Sequence, residues 1–190
     1  MNFPLQKFIM QKKSLYAFTL VELLVVIAII AILMGLIFPA ATGAMNSAKK
    51  TTAKNQAVQI ATAINAYETE YGRLPSNGTA SNIGTNMVAI LTANDTNNNP
   101  RALNFLDTSA WKQGKGGTNS LGYCDPFTAT NVYSVALDTN YNNTLTNTPI
   151  QTNSGGAITY TTSANPLTKH IAVWTIWING KQTNLIDSWD

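Results

Sequence analysis

The chain has 190 residues, of which only 11% are charged, and its 12 basic and 9 acidic side chains give a formal net charge of +3. Lys7, Lys12 and Lys13 lie before residue 18 in a stretch without acids, so the rest of the chain is formally neutral and excludes a strongly basic nucleic-acid-binding domain. A single cysteine, Cys124, and a single histidine, His170, exclude an intramolecular disulfide and a Cys/His zinc site.

After the basic stretch, residues 18–41 read FTLVELLVVIAIIAILMGLIFPAA and are almost wholly apolar. At about 1.5 Å per residue this run makes a helix of roughly 36 Å, enough to cross a hydrocarbon core of about 30 Å. It is longer than the apolar region of a secretory signal peptide, typically about 7–15 residues. Lys12 and Lys13 favour a cytoplasmic N-terminus. Glu22 stands inside the run. An acid at membrane depth is costly and is functional by default, and a plain signal anchor gains nothing from one. It also falls in the first turn, where the helix dipole favours an anion. Thr19 either caps the helix start or faces solvent. Gly35 and Pro39 interrupt the run, and the proline removes the hydrogen bond to the Gly35 carbonyl. The pair predicts a kink or a locally meltable turn.

Residues 42–72 read as an amphipathic continuation of the helix. Ala57, Ile60, Ala61, Ile64, Tyr67 and Tyr71 recur at helical spacing, leaving Lys49, Lys50, Lys54, Glu68 and Glu70 on the wet side. The lysines directly follow the apolar run and read as solvating groups or lipid-headgroup contacts. A helix over 18–71 would be roughly 80 Å long. Gly72 stops it and Pro75 forbids its resumption.

Residues 84–93 predict a short helix carrying Met87, Val88, Ile90 and Leu91. Tyr133, Val135 and Leu137 alternate with Ser134 and Ala136, as in a half-buried strand. Further strands are expected over 157–162 and 170–178, the latter ending at the hairpin signal Asn179-Gly180. Residues 76–83, 93–100 and 139–156 read as loops rich in Asn, Thr and Gly. The predicted fold class is α+β, with a long N-terminal helix packed on a small antiparallel sheet.

Enzymatic chemistry has little support. Asp125 and Asp138 sit in turns, and His170 opens an apolar strand, where a structural histidine is the default. The chain has no glycine-rich phosphate loop, nucleophile elbow or metal-spaced His/Cys set. Trp111, Trp174, Trp177 and Trp189 read as core or subunit-interface packing.

The run from Ala17 through FTLVELLVVIAIIAIL resembles the N-terminal cleavage and methylation signature of type IV pilins and type II secretion pseudopilins. YGRLPS at 71–76 resembles the turn that follows the long helix of major pseudopilins, with Leu74 at the usual aromatic position. NPRALNFLD at 99–107 resembles their connection toward the sheet, and Asp125-Pro126-Phe127 their turn before a strand. The resemblance implies cleavage between Ala17 and Phe18 by a prepilin peptidase, with Ala17 in place of the usual glycine, and methylation of the new Phe18 amine. Glu22 would then pair with that amine, in its own chain or a neighbour, and set the register of assembly.

The implied organisation is a cytoplasmic leader over 1–17, a transmembrane and filament-core helix over 18–41, its amphipathic continuation over 42–72, and a periplasmic head over 73–190. The implied function is a structural filament subunit of a type II secretion pseudopilus. Its partners would be like subunits, minor pseudopilins, the prepilin peptidase, an inner-membrane assembly platform and the membrane itself, with no nucleic acid. A type IV pilin or minor pilin is the alternative within the class, and a membrane-anchored binding domain with a pilin-type leader is the alternative outside it. The C-terminus AVWTIWINGKQTNLIDSWD resembles the calcium-binding end of major pseudopilins. The family's ligand aspartates correspond to Asn179 and to the Asn184–Leu185 region, with Asp187 out of step, so a loop here is expected to bind calcium weakly or not at all.

Overall fold

The computed structural model describes residues 18–75, 82–151, 158–179 and 182–189. Helix α1 spans Leu20–Tyr71 with Pro39 inside it. Chain contacts divide between Ala44 and Met45 into two compact units. In the first, every described side chain from Phe18 to Ala44 is exposed, and even Val26 and Ile30 keep 45% and 47% of their surface. The helical assignment continues through Gly35 and Pro39, and the Thr42 hydroxyl donates to the Pro39 carbonyl at 2.9 Å.

The second unit starts within the same helix and builds a core. Ala53, Ala57, Ile60, Ala63, Ile64 and Tyr67 repeat at three- and four-residue spacing and are buried along one face. Tyr67 packs with Tyr71 and Phe105 at ring-centroid distances of 4.7 and 5.6 Å. Helix α1 ends where the sequence predicts. Gly72 takes a left-handed φ of +65°, and its N–H donates to the Glu68 carbonyl at 2.7 Å. Helix α2 (Thr85–Leu91) buries Met87, Ile90 and Leu91 against this core.

The central sheet has three antiparallel strands in the order β3 (Ser134–Leu137), β6 (Ile171–Asn179), β7 (Gln182–Asp187). Val135 lies opposite Val173, and Leu137 opposite Ile171. These side chains and Tyr133 close the core over the α1 stripe. The pairing of Asn179 with Gln182 joins β6 and β7 across residues 180–181, which lie outside the described residues. The expected strand at 157–162 is β5 (Ile158–Tyr160).

Three strands depart from the expected plan. β1 (Gly117–Asn119) and β2 (Gly122–Cys124) form a hairpin ahead of the Asp125 turn. β4 (Pro149–Gln151), inside a region expected to be wholly loop, pairs with β5. Three-residue strands are too short to show alternation in a sequence, and these pairings are decided by distant neighbours. Gly122 illustrates the constraint: at φ +137°, a Cβ would collide with the Ile83 carbonyl.

Loop polarity is satisfied internally. Buried Asn99 donates to the carbonyls of Ile90 and Leu103 at 2.8 and 2.7 Å and accepts from the Tyr71 hydroxyl at 2.6 Å. It thereby ties the 99–105 connection to both helices.

Candidate functional site

Ala17 lies outside the described residues, and Phe18 beside it is 74% exposed. At the start of α1, the Thr19 hydroxyl accepts from the Glu22 N–H at 3.2 Å, and Glu22 Oε2 accepts from the Thr19 backbone N–H at 2.9 Å. The Thr19 hydroxyl also donates to Glu22 Oε2 at 2.8 Å. This is a capping box, in which a Thr and a Glu three residues on satisfy each other's open backbone donors. The T-x-x-E spacing was legible in the sequence. The carboxylate is thus folded back over the helix start, one residue from Phe18, and lies within a helix whose other side chains up to Ala44 have no tertiary partner among the described residues. α1 is also the one helix among the described residues long and apolar enough to cross a membrane.

Of the residues aligned with a calcium loop, Asn184 and Asp187 do not converge on one point. Asn184 and Asp187 stand in strand β7 instead of a loop, three residues apart and hence on opposite faces of the sheet. Asn184 lies across from Trp177, and Asp187 across from Trp174. The Lys50 ammonium donates to Asn184 Oδ1 at 3.1 Å, which puts a positive charge where a cation would have to bind. Asp187 Oδ1 accepts from the Trp189 N–H at 3.2 Å. Asn179 ends β6. The side chains of Asn184 and Asp187 therefore do not share one cation site, which needs six to eight convergent oxygens. Among the described residues there is no group of three or more His, Cys, Asp or Glu side chains placed to hold a metal. The terminal Ser188-Trp189 instead returns to the sheet: Ser188 Oγ accepts from the Val173 N–H at 3.1 Å, and Trp189 meets Trp174 edge-on at 6.2 Å.

Two buried carboxylates are structural hubs. Asp125 is fully buried and accepts from the N–H groups of Phe127 and Thr128 at 2.9 and 3.0 Å, from the Thr175 hydroxyl at 2.8 Å and from the Asn131 amide. It closes the turn before β3 and pins it to β6. Asp138 does the same after β3, accepting from the N–H groups of Asn140 and Asn143 and pairing with His170 Nδ1 at 3.2 Å. Burial raises the Asp138 pKa, but the donors from Asn143, His170, Asn142 and Asn140 outweigh it and hold the carboxyl below its ordinary range.

His170 completes a clamp between helix and sheet. Its Nε2 lies 2.9 Å from both Glu68 carboxylate oxygens, and Tyr141 covers the ring at 5.5 Å. Burial lowers the His170 pKa, but the hydrogen bonds to Glu68 and Asp138 and their charges raise it more, so the group titrates above its ordinary value. Glu70 is likewise paired, with Arg101, so neither acid at the end of α1 is simply solvated.

A third grouping surrounds the first turns of α1 in the second unit. The Lys50 ammonium sits 5.0 Å from the Trp177 ring centroid, and Trp177 stacks on Phe127 at 4.6 Å with an interplanar angle of 12°. Gln56 Nε2 donates to the Lys115 carbonyl at 2.7 Å, and the Gly114 N–H donates to the Pro126 carbonyl at 2.9 Å. The loop carrying Lys112 and Lys115 is therefore held between α1 and the Asp125 turn.

Residues 15–38 match the family described as the prokaryotic N-terminal methylation motif. The match supports a type IV pilin-like structural subunit, processed by a prepilin peptidase, anchored through an apolar helix and assembled into filaments. No curated protein and no solved structure matches the chain.

Proposed function

We propose that the chain is a structural filament subunit of a type II secretion pseudopilus, drawn from the inner membrane and assembled to drive protein export. The observation that carries this reading is a carboxylate held at the start of an apolar helix that bears the prepilin motif and buries none of its side chains up to Ala44 in its own fold. Cleavage between Ala17 and Phe18 would leave a free, methylated Phe18 amine next to the Thr19–Glu22 cap. An amine and a carboxylate are each costly in apolar surroundings, whereas a docked pair offsets much of that cost and fixes axial register. Gly35 and Pro39 supply a place where the helix can bend or locally open during packing. The N-terminus would face the cytoplasm and the head the periplasm, with the assembly platform and minor pseudopilins as partners. The lone, buried Cys124 leaves no cysteine pair of the kind frequent in type IV pilins, which favours the pseudopilus over the pilus.

Glu22→Gln tests the reading, because glutamine also serves in a capping box while removing the charge. The variant is expected to insert into the membrane, to be cleaved and to fail in filament assembly. Normal filaments from it would refute the charge-pairing role of Glu22. Mass spectrometry of the mature chain should find a methylated Phe18 as the first residue, and an intact leader in a peptidase-positive cell would sink the precursor reading. Adjacent genes for a secretion ATPase and an outer-membrane secretin would separate pseudopilus from pilus.

A further inference from the structure

The lysines, Phe127 and Trp177 that gather around residues 49–56 have no part in the cleavage and assembly chemistry of the helix start. Lys112 and Lys115 are exposed, and Lys49 and Lys50 are half-buried, with the Lys50 ammonium held by Asn184 Oδ1 and the Trp177 ring. A side-chain carbon added at Gly114 would lie 3.8 Å from Lys49 Cε, so the 112–115 loop and the start of this helical stretch share one face. Trp177 stands near the tip of the β6–β7 hairpin, half-exposed beside Phe127, and the next residue, Ile178, is 66% exposed. The described acids of the second unit are engaged otherwise. Asp125, Asp138 and Asp187 are buried, Asp95 and Asp107 accept from the side chains of Asn98 and Asn104, and Glu68 and Glu70 lie roughly five to six helical turns beyond Lys49 and Lys50, paired with His170 and Arg101.

We propose that the face formed by Lys49, Lys50, Lys112, Lys115, Phe127 and Trp177 rests on the anionic headgroup layer of the membrane. The inference rests on the reading that residues 18–41 span that membrane. Two features select a lipid surface as the occupant. The charge is complementary, since lysines held near an anionic leaflet are attracted to it. Lys49 also follows the last residue of the apolar run, Ala41, by about 12 Å of helix, so insertion of the run brings it to the headgroup region. A half-exposed tryptophan near lysines is the composition that favours the boundary between hydrocarbon and water; here the Lys50 ammonium stays on Asn184 and the Trp177 ring, and the exposed Lys112 and Lys115 are the groups that would meet phosphate. The contact would store the subunit with its head against the bilayer and would be given up on extraction into a filament.

All four tryptophans, Trp111, Trp174, Trp177 and Trp189, lie in the second unit, so their emission reports on this unit alone. The full chain is reconstituted into vesicles of phosphatidylcholine, or of an equimolar mixture with phosphatidylglycerol, each carrying acyl chains brominated near the headgroup. Bromine quenching is expected in the anionic vesicles and weak in the neutral ones. It should be lost at an ionic strength of about 1 M, where the Debye length falls to about 3 Å. The double variant Lys112→Glu/Lys115→Glu, with its fold checked by circular dichroism, should lose most of the quenching. Trp177→Phe should lose most of it as well, with both charges and packing kept. Equal or absent quenching in the two vesicle types, or an undiminished signal in the charge variant, would overturn the proposal. Carbonate extraction of the same vesicles keeps the two readings apart: a chain that is released has failed the membrane-span reading, and one that stays without quenching has failed only this inference.

Discussion

Two stretches of one helix, Leu20–Ala44 and Met45–Tyr71, treat their apolar side chains in opposite ways. In the first, Ile27, Ile29, Ile30 and Ile32 are between 47% and 66% exposed. In the second, Ile60 and Ile64 are fully buried, among alanines that are equally hidden. Composition explains the contrast. The first stretch is apolar all round, which no single neighbouring element can cover, whereas the second confines its apolar residues to one stripe and lets the sheet and loops of the same chain cover it. Helix propensity is satisfied in both, so the difference lies in tertiary partners. The first stretch requires surroundings from outside its own fold, either lipid or copies of itself, and the second makes its own.

The same substitution placed in each stretch gives the largest expected separation. Ile64→Ala should cost about 2–5 kcal/mol, through lost burial and the cavity left behind. Ile30→Ala should stay within about 0.5 kcal/mol for the detergent-solubilised monomer. Thermal unfolding followed by circular dichroism measures both, and comparable losses would break the contrast.

Within the second stretch's partners, Asp125→Ala should cost on the order of 3 kcal/mol, because it opens the turn held by the Phe127 and Thr128 N–H groups and leaves the buried Thr175 hydroxyl without its acceptor. Urea unfolding with an unchanged slope would assign that loss to the native state. Gly72→Ala should cost about 1–2 kcal/mol, since the helix must still end in the left-handed conformation.

The clamp at His170 gives a smaller, pH-dependent effect. Its folded pKa lies above the unfolded value of about 6.5. Its contribution is therefore complete below that pH and is lost as pH rises through the folded pKa. Asp138 works in the other direction: its pKa is held below the unfolded value, so its contribution is lost as pH falls through the folded pKa. Midpoints of unfolding against pH should decline on the alkaline side in the wild type and flatten there in His170→Gln. The smallest expected effect is that of calcium. With Lys50 on Asn184 and Asp187 on the opposite face, the melting temperature should be the same in chelator and in excess calcium, and a clear rise with calcium would locate a site elsewhere.

Much of the fold was legible in the sequence. The long helix, its stop at Gly72, the short second helix and the strands at 134–137 and 171–179 follow from periodicity and turn residues, which act over a few positions. The role of Thr19 was half legible, since T-x-x-E spacing names both members of the cap. The hubs were legible only in part. Asp125 reads as a turn residue, and its local bonds to Phe127 and Thr128 bear that out, but Thr175 and Glu68, which tie Asp125 and His170 to distant elements, lie 50 and 102 positions away. Trp177 read as packing, and only the placement of Phe127 and Lys50 against it turned it into part of a basic, aromatic face.

By itself the sequence determined the apolar run, the acid inside it, the point where the helix stops and the formal neutrality of the chain beyond residue 17. All but the last depend on residues within one or two turns of each other, where hydrogen-bond spacing and side-chain polarity leave little choice, and the neutrality is a matter of composition alone. Tertiary structure alone decided which carboxylates became anchors, which lysines came to share a surface, and why Asn184 and Asp187 face opposite sides of the sheet. Those outcomes depend on strand register and loop closure, and both are set by packing between residues far apart in the chain.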